Sequence, residues 1–492
     1  MDKQSILESL NGFLRRDQIN TDPAALYDAR ADRYKKYAKA KKVLDAPPPA
    51  AIVYPDSTEE VRTLLLFCAK NNINVIPRSG KTATEGGLEN WKENALVIDG
   101  KNLNRILKID AYNMQATVQA GVPLQNLEDE LRKQGLTTGH SPQSKPVAQF
   151  GGLVATRSIG QFSTLYGGIE DMVVGLECVF PDGHIARIKN VPRRAGGPDI
   201  RHIVIGNEGT LCYITEVTVK LFRFYPQHQF YGYLIDSVDA GIKVLREVIV
   251  AGYRPSVARV YSEEDARQHF YHFYKNKCVL IFMAEGPAPM VKATAAGIEE
   301  AVAKFKDAIV EQVDSKLLDE WFDNLNWSQK DIDDEAQGMI DNDSHDGFTT
   351  EISADWETIP QIYHNVVNRI QKEFRRAKDL TMLGGHSSHS YINGTNMYFV
   401  YNYKINCEPE DEMKIYHHPI QTIIVEETLK QGGSMCHHHG IGKYRSQWTK
   451  EEHGSAYYIL EKLKGAFDPH LLMSYGNIFT QEDGVEKYIG LV

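Results

Sequence analysis

The chain has 492 residues, more than one hydrophobic core usually spans, so two or more domains are expected, each burying its own centre. Its formal net charge of -10 argues against nucleic-acid partners, whose phosphates require a surplus of Lys and Arg. No run approaches the roughly 20 apolar residues that cross a bilayer, and "MDKQSILESLNGFLRRDQ" is too polar for a signal peptide, so no integral membrane segment and a cytoplasmic location are expected.

Residues 1–45 are charged and helix-prone, and they end at the connector Pro47 to Pro49. Then "AIVYP" reads as a strand, Ser57 with Glu60 as a capping box, "TEEVRTLLLFCAKNN" as a helix and "INVIPR" as a second strand. Together they predict a β-α-β unit. Glycine turns and β-branched runs continue through "ALVIDG", "QATVQAGV", "MVVGLECVFPDG" and "LCYITEVTVKLF" to Pro226, giving a domain over 46–226. From 227 to 430, strands such as "FYGYLID", "KCVLIFMAEG", "GFTTEIS" and "MYFVYNYKI" alternate with helical stretches at 290–308, 355–374 and 409–431. This pattern predicts a mixed, antiparallel sheet covered by helices. The last segment, 431–492, brings "CHHHGIGKYR" back to the interface of an α+β protein with two lobes. The cysteines at 68, 178, 212, 278, 407 and 436 form no C-x-x-C pair, which fits buried thiols in a reducing compartment.

"PRSGKTATEGG", 77 to 87, follows a strand and is rich in residues that let backbone N–H groups approach an anion. It fits neither the G-x-G-x-x-G dinucleotide fingerprint nor the G-x-x-x-x-G-K-[ST] P-loop. Downstream come "HSPQSKPVAQFGGLVATRSIG", "YGGIEDMVVGLECVFPDG" and "GNEGTLCYITEVTVKLF". Taken together, the four segments resemble the flavin-binding (PCMH-type) domain of the vanillyl-alcohol-oxidase type of FAD enzyme. The resemblance implies that the first loop, Pro77, Arg78, Ser79, Gly80, Lys81, Thr82 and Ala83, cradles the FAD pyrophosphate. It further implies FAD contacts from Gln143, Ser144 and the stretch to Gln149, from Gly151 and Gly152, from Thr156, Arg157, Ser158 and Ile159, and from Glu208, Gly209 and onward to Ile214. Covalent members carry a histidine where Thr82 stands, so the FAD is expected to be non-covalent. Lys81 occupies a place usual for glycine: its cation suits a pyrophosphate, while its side chain restricts the loop's backbone.

In the second half, "RPSVARVY", "TNMYFVYNY" and "GGSMCHHHGIGKYRSQW" resemble alkyl-dihydroxyacetone-phosphate synthases, in which a flavin N5 adduct serves a non-redox alkyl transfer. The resemblance implies Arg259 as a substrate-side cation, Tyr398 as an acid/base, and His437, His438 and His439 as an active-site cluster. By a loose local alignment, Gln337 stands where that branch places a substrate-binding arginine, which points to a less anionic substrate. His386 and His389, just upstream of Tyr398, are expected to face the same substrate cavity.

Related FAD dehydrogenases of 2-hydroxy acids hold a metal with H-x-x-x-D-G-N-x-H and E-H-G-x-G. Here the matching segments, His389 to Tyr398 and His438 to Gly442, lack the carboxylate and one histidine, and neighbouring histidines of an extended chain point apart. No metal is expected, with a zinc site of His389 and His437 to His439 as the alternative. The residues leave structural packing open beside acid/base work, which suits an imidazole near neutrality. The leading expectation is a dehydrogenase that oxidises a hydroxyl-bearing small molecule, with hydride passing to flavin N5, an unidentified electron acceptor and a homodimeric state. The alternatives are the non-redox transferase and a non-catalytic FAD-binding protein.

Overall fold

The computed structural model describes residues 1–342 and 345–481, so the expected segment 431–492 is described as far as residue 481. Ser57 starts the helix Thr58–Asn71 by accepting the Glu60 N–H at 3.2 Å. Only this half of the expected capping box forms. The Glu60 carboxylate instead accepts from the Asp56 N–H at 2.8 Å and from Gln18 Nε2 at 2.6 Å. The flanking strands Ala51–Val53 and Val75–Arg78 are parallel, as a β-α-β unit requires, yet they are not neighbours. Leu96–Asp99 lies between them and pairs with both.

Beside this small sheet stands an antiparallel one in the order Ile106–Asp110, Gln115–Gln119, Tyr213–Lys220, Val173–Val179, Ile185–Ile188. Its inward residues, among them Val118, Leu176, Cys178, Val217 and Val219, are buried with the helix residues Leu127, Leu131 and Val154. Residues 1–45 do more than connect. Ile6 and Leu10 join the core beneath Thr58–Asn71, whereas Tyr34 and Tyr37 are buried in the core of the second half.

The second half is built on a sheet in the order Ile309–Val313, His228–Ile235, Cys278–Glu285, Val257–Tyr261, Leu380–Ser387, Gly394–Lys404, His345–Asp355. Every pairing in it is antiparallel. Helices Val238–Val250, Ala288–Lys304, Thr358–Glu373 and His418–Lys430 supply Ile242, Leu245, Ile298, Ile362 and Ile423 to one face, where they are buried with Ala258, Val260, Met397, Phe399 and Tyr401. Burying each such large apolar side chain contributes about 1.5–3 kcal/mol, which fixes the register. The two-residue period then sends Arg259, Tyr398 and Val400 to the opposite face, toward the first half. Among the described residues, no helix is long and apolar enough to cross a membrane.

Candidate active site

Between the halves lies a cavity of about 500 Å3. From the first half it is lined by the loop Pro77 to Ala83, by Gln143, Ser144, Gln149, Gly151 and Gly152, by Thr156, Ser158 and Ile159, and by Glu208, Gly209 and Ile214. From the second half it is lined by Arg259, His386, His389, Tyr398, His438 and His439.

The first-half loops fit a phosphate-bearing cofactor. A Cβ at Gly80 would lie 2.6 Å from the Val147 carbonyl oxygen, and one at Gly152 would lie 2.5 Å from Ser79 Oγ, so glycine lets the loops close on each other. Lys81 adopts φ +59°, the left-handed conformation that its glycine-like place demands; it belongs to the lining, and its Nζ lies 3.9 Å from Asp28 Oδ2. Gln149 belongs to the lining, and its buried Oε1 has no hydrogen-bond partner among the described residues. A bound group with donor atoms would satisfy it.

The second-half wall is a row of side chains across four strands. Tyr261 is opposite His386, His386 opposite Tyr398, and Tyr398 opposite Glu351. Facing residues of adjacent strands share a side of the sheet. The His386 ring therefore stacks between Tyr261 and Tyr398, with centroids 4.7 and 4.8 Å away. Its Nδ1 lies 2.6 Å from Asp265 Oδ2, and the same buried carboxylate meets His269 Nε2 at 3.2 Å. Burial lowers the His386 pKa, with Asp265 opposing, and the residue belongs to the lining. Arg259 is buried: its Nη1 donates to the Tyr261 hydroxyl at 2.8 Å, and its Nε has no hydrogen-bond partner among the described residues.

The histidine segment is held by three carboxylates. Glu351, fully buried, accepts the backbone N–H of His437 at 2.6 Å and of His439 at 2.7 Å. Glu208 accepts those of Ile441 and Gly442 at 2.6 and 2.7 Å, and burial pushes its pKa up to about 7. Glu85 takes Arg445 through Nε and Nη2 at 3.1 and 2.9 Å. Gly442, at φ +53°, lets the chain pass against Glu85, whose carbonyl oxygen a Cβ would meet at 2.0 Å. Curled around Glu351 in this way, the segment is not extended, and two adjacent imidazoles reach one phenol. Tyr398 Oη lies 2.5 Å from His438 Nε2 and 3.1 Å from His439 Nε2.

These groups tune one another. Burial drives the Glu351 pKa upward, but Arg445 and the three imidazoles more than offset it and hold the carboxyl below its ordinary range. Burial, with Glu351 second, raises the Tyr398 hydroxyl well above the usual phenol value. Burial lowers His437 to about 4 and His438 and His389 well below the ordinary histidine value.

Three expected site residues sit elsewhere. Arg157, just past the helix Phe150–Ala155, is exposed at φ +52° and paired with Glu170 at 3.1 Å, outside the cavity lining. Gln337 is exposed on the helix Gln329–Asn342, whose Glu335 lines the cavity. Two positions apart on a helix is about 200°, so Gln337 and Glu335 do not share a face, and Gln337 lies outside the lining. His437 is absent from the lining because its ring turns outward to Tyr391.

His389 does line the cavity, with Nδ1 2.8 Å from Ser163 Oγ and its ring stacked on His437 at 5.2 Å. Among the described residues, no group of three His, Cys, Asp or Glu side chains forms a metal-holding set. Sequence reasoning missed Glu85, Asp265 and Glu351. The signal for Glu351 was a carboxylate inside the β-branched run "FTTEIS", and that for Glu85 was its place in the glycine loop.

Residues 49–189 match the family described as FAD binding domain, and residues 226–478 match FAD linked oxidases, C-terminal domain. The FAD-linked oxidoreductase YgcU of Escherichia coli (strain K12) is 55% identical over 484 residues, covering 98% of this chain and 99% of the relative. An alkyldihydroxyacetonephosphate synthase of Dictyostelium discoideum is 27% identical over 451 residues, covering 86% of this chain and 72% of its own. A solved structure of an alkyldihydroxyacetonephosphate synthase superposes with a TM-score of 0.75 at 23% identity, covering 96% of this chain and 86% of the other, and so shares the fold.

Proposed function

The chain belongs to the FAD-linked oxidases as an FAD-dependent oxidoreductase, and from that premise we propose that it oxidises a hydroxyl-bearing small molecule whose proton is received at Tyr398. Bound FAD supplies the two-electron acceptor for such chemistry. The loops Pro77 to Ala83 and Gln143 to Gln149, with Glu208 to Ile214, would hold it.

The observation that carries the reading is the Tyr398 hydroxyl, facing the cavity between two imidazoles. A hydroxyl has one proton and two acceptor sites. Donating to His438 and accepting from a His439 N–H leaves Tyr398 one acceptor site for a substrate O–H. Passing its own proton to an imidazole while taking the substrate's avoids a phenolate, which burial and Glu351 disfavour. The Arg259 guanidinium, with Nε unsatisfied, can bind a carboxylate or another substrate oxygen.

The test is to mix the FAD-loaded protein anaerobically with hydroxy acids, sugars and polyols and to follow the absorbance of oxidised flavin. Bleaching by one chemical class is expected. A protein that stays yellow with every compound would favour the second reading, alkyl transfer without net redox change, which the 27% identity to the synthase supports and which uses the same tyrosine and histidines.

A further inference from the structure

Beyond Tyr398, the hydrogen bonds continue in an unbroken line. Tyr398 Oη is 2.5 Å from His438 Nε2, His438 Nδ1 is 2.7 Å from His437 Nδ1, and His437 Nε2 is 2.7 Å from Tyr391 Oη. Each imidazole uses both ring nitrogens, one toward the cavity and one away from it. Tyr398 and His438 line the cavity, His437 does not, and Tyr391 is 37% exposed. The line thus runs from the buried site to the surface.

Two independent features hold it in place. The His437 and His439 N–H groups are fixed on Glu351, and the His437 ring is stacked on His389, nearly parallel at 13°. At the outer end, burial first raises the Tyr391 pKa, and the Glu170 and Asp171 carboxylates raise it further against the opposing Arg157. Negative charge beside the outlet draws protons to it.

We propose that Tyr398, His438, His437 and Tyr391 form a proton wire that carries the proton of the oxidised hydroxyl from the cavity to solvent. The inference rests on the oxidation reading above. In the productive polarity, Tyr398 donates to His438 Nε2, His438 donates from Nδ1 to His437 Nδ1, and His437 donates from Nε2 to Tyr391 Oη. When the substrate loses its O–H proton to the Tyr398 oxygen, each member passes on the proton it was donating, and Tyr391 releases its own to water. One proton enters and one leaves, no member keeps a net charge, and the electron pair of the substrate C–H bond goes to the bound FAD. Avoiding charge matters because burial makes an imidazolium at His438 costly. The outward run leaves each imidazole in its other tautomer, and a proton carried inward from water along the same line restores the start as Tyr398 gives the proton it holds to a water in the cavity.

A pH-indicator dye in weak buffer, followed with the flavin absorbance in a stopped-flow instrument, reads the wire with the FAD-loaded enzyme and a compound that bleaches it. In the wild type, proton release should keep pace with bleaching. Tyr391→Phe removes the outlet, and His437→Gln keeps a hydrogen-bonding side chain that cannot relay a proton. Each should slow proton release at least about tenfold while the flavin content stays that of the wild type. Wild-type release rates in both variants would overturn the wire. If no compound bleaches the wild type, the oxidation reading falls by itself, and ¹⁵N spectra of histidine-labelled protein decide the wire. A neutral Nδ1–H tautomer at His438 with a neutral Nε2–H tautomer at His437 supports it, and the same tautomer in both rings overturns it.

Discussion

The two walls of the cavity are built on opposite plans. In the first half, glycines let segments close in: Gly80 lies against the Val147 backbone and Gly152 against the Ser79 hydroxyl. In the second half, an antiparallel sheet sets Tyr261, His386, Tyr398 and Glu351 in register, and buried carboxylates lock the groups around them. Backbone loops suit a large cofactor that needs many weak, well-placed contacts. A braced row of side chains suits chemistry, in which a few polar atoms must hold their direction. The first half should therefore govern whether flavin is held, and the second whether a bound flavin is reduced.

Tyr398→Phe tests that division most sharply. It removes one oxygen from the second wall, so substrate-driven bleaching should fall by about 10²–10⁴-fold, the usual contribution of a positioned acid/base, while the flavin content is unchanged. Loss of flavin from this variant would break the comparison.

Glu351→Gln comes next. It leaves Arg445, itself fully buried, with a weakened partner and disturbs the bonds from His437 and His439. Breaking a buried ion pair costs about 3–5 kcal/mol, and urea unfolding should read a loss of that order. The same substitution at Glu170, paired in the first half with the exposed Arg157, should cost less than about 1 kcal/mol. Equal losses would erase the contrast between a braced wall and a solvated surface.

A pH-dependent effect concerns His140 of the first half, buried beside Ser158 Oγ and lowered by burial to about 3. The unfolded chain binds a proton at this ring below its ordinary value of 6.5, and the folded chain does so only near 3. Between those values the unfolded state holds more protons, so the folded state loses stability as pH falls. A His140→Gln variant lacks this titration. Its stability relative to wild type should rise on acidification from pH ~6.5, by up to about 1.4 kcal/mol per pH unit. A difference independent of pH would mean that His140 takes up its proton in the folded state too.

The strands and helices of both halves were readable because burial imposes a period on the chain: two in Met397, Phe399 and Tyr401, near 3.6 in Val61, Leu64, Leu65 and Cys68. That period gives a residue's face but not its neighbour. Leu96–Asp99 slipped between the two strands of the expected β-α-β unit because strand order is set by packing across the whole sheet. Arg157 and Gln337 were misplaced for a related reason: the direction of a side chain at a helix end or on a helix face depends on a rotation that a motif does not specify.

The sequence by itself pointed to the FAD loops, the tyrosine on its strand and the histidine segment through the resemblance its motifs carry to a known family, since short motifs survive as local residue patterns. Only the tertiary structure decided what the histidines do. Glu85, Glu208 and Glu351 come from three distant places in the chain, and each curls or pins the segment through its own backbone or arginine contacts. Those long-range bonds turn His438 and His439 onto Tyr398 and leave His437 for Tyr391. Two of three identical neighbours in the chain thereby share one tyrosine and the third takes another, because hydrogen-bond direction is fixed by the fold around a residue and not by the residue's own identity.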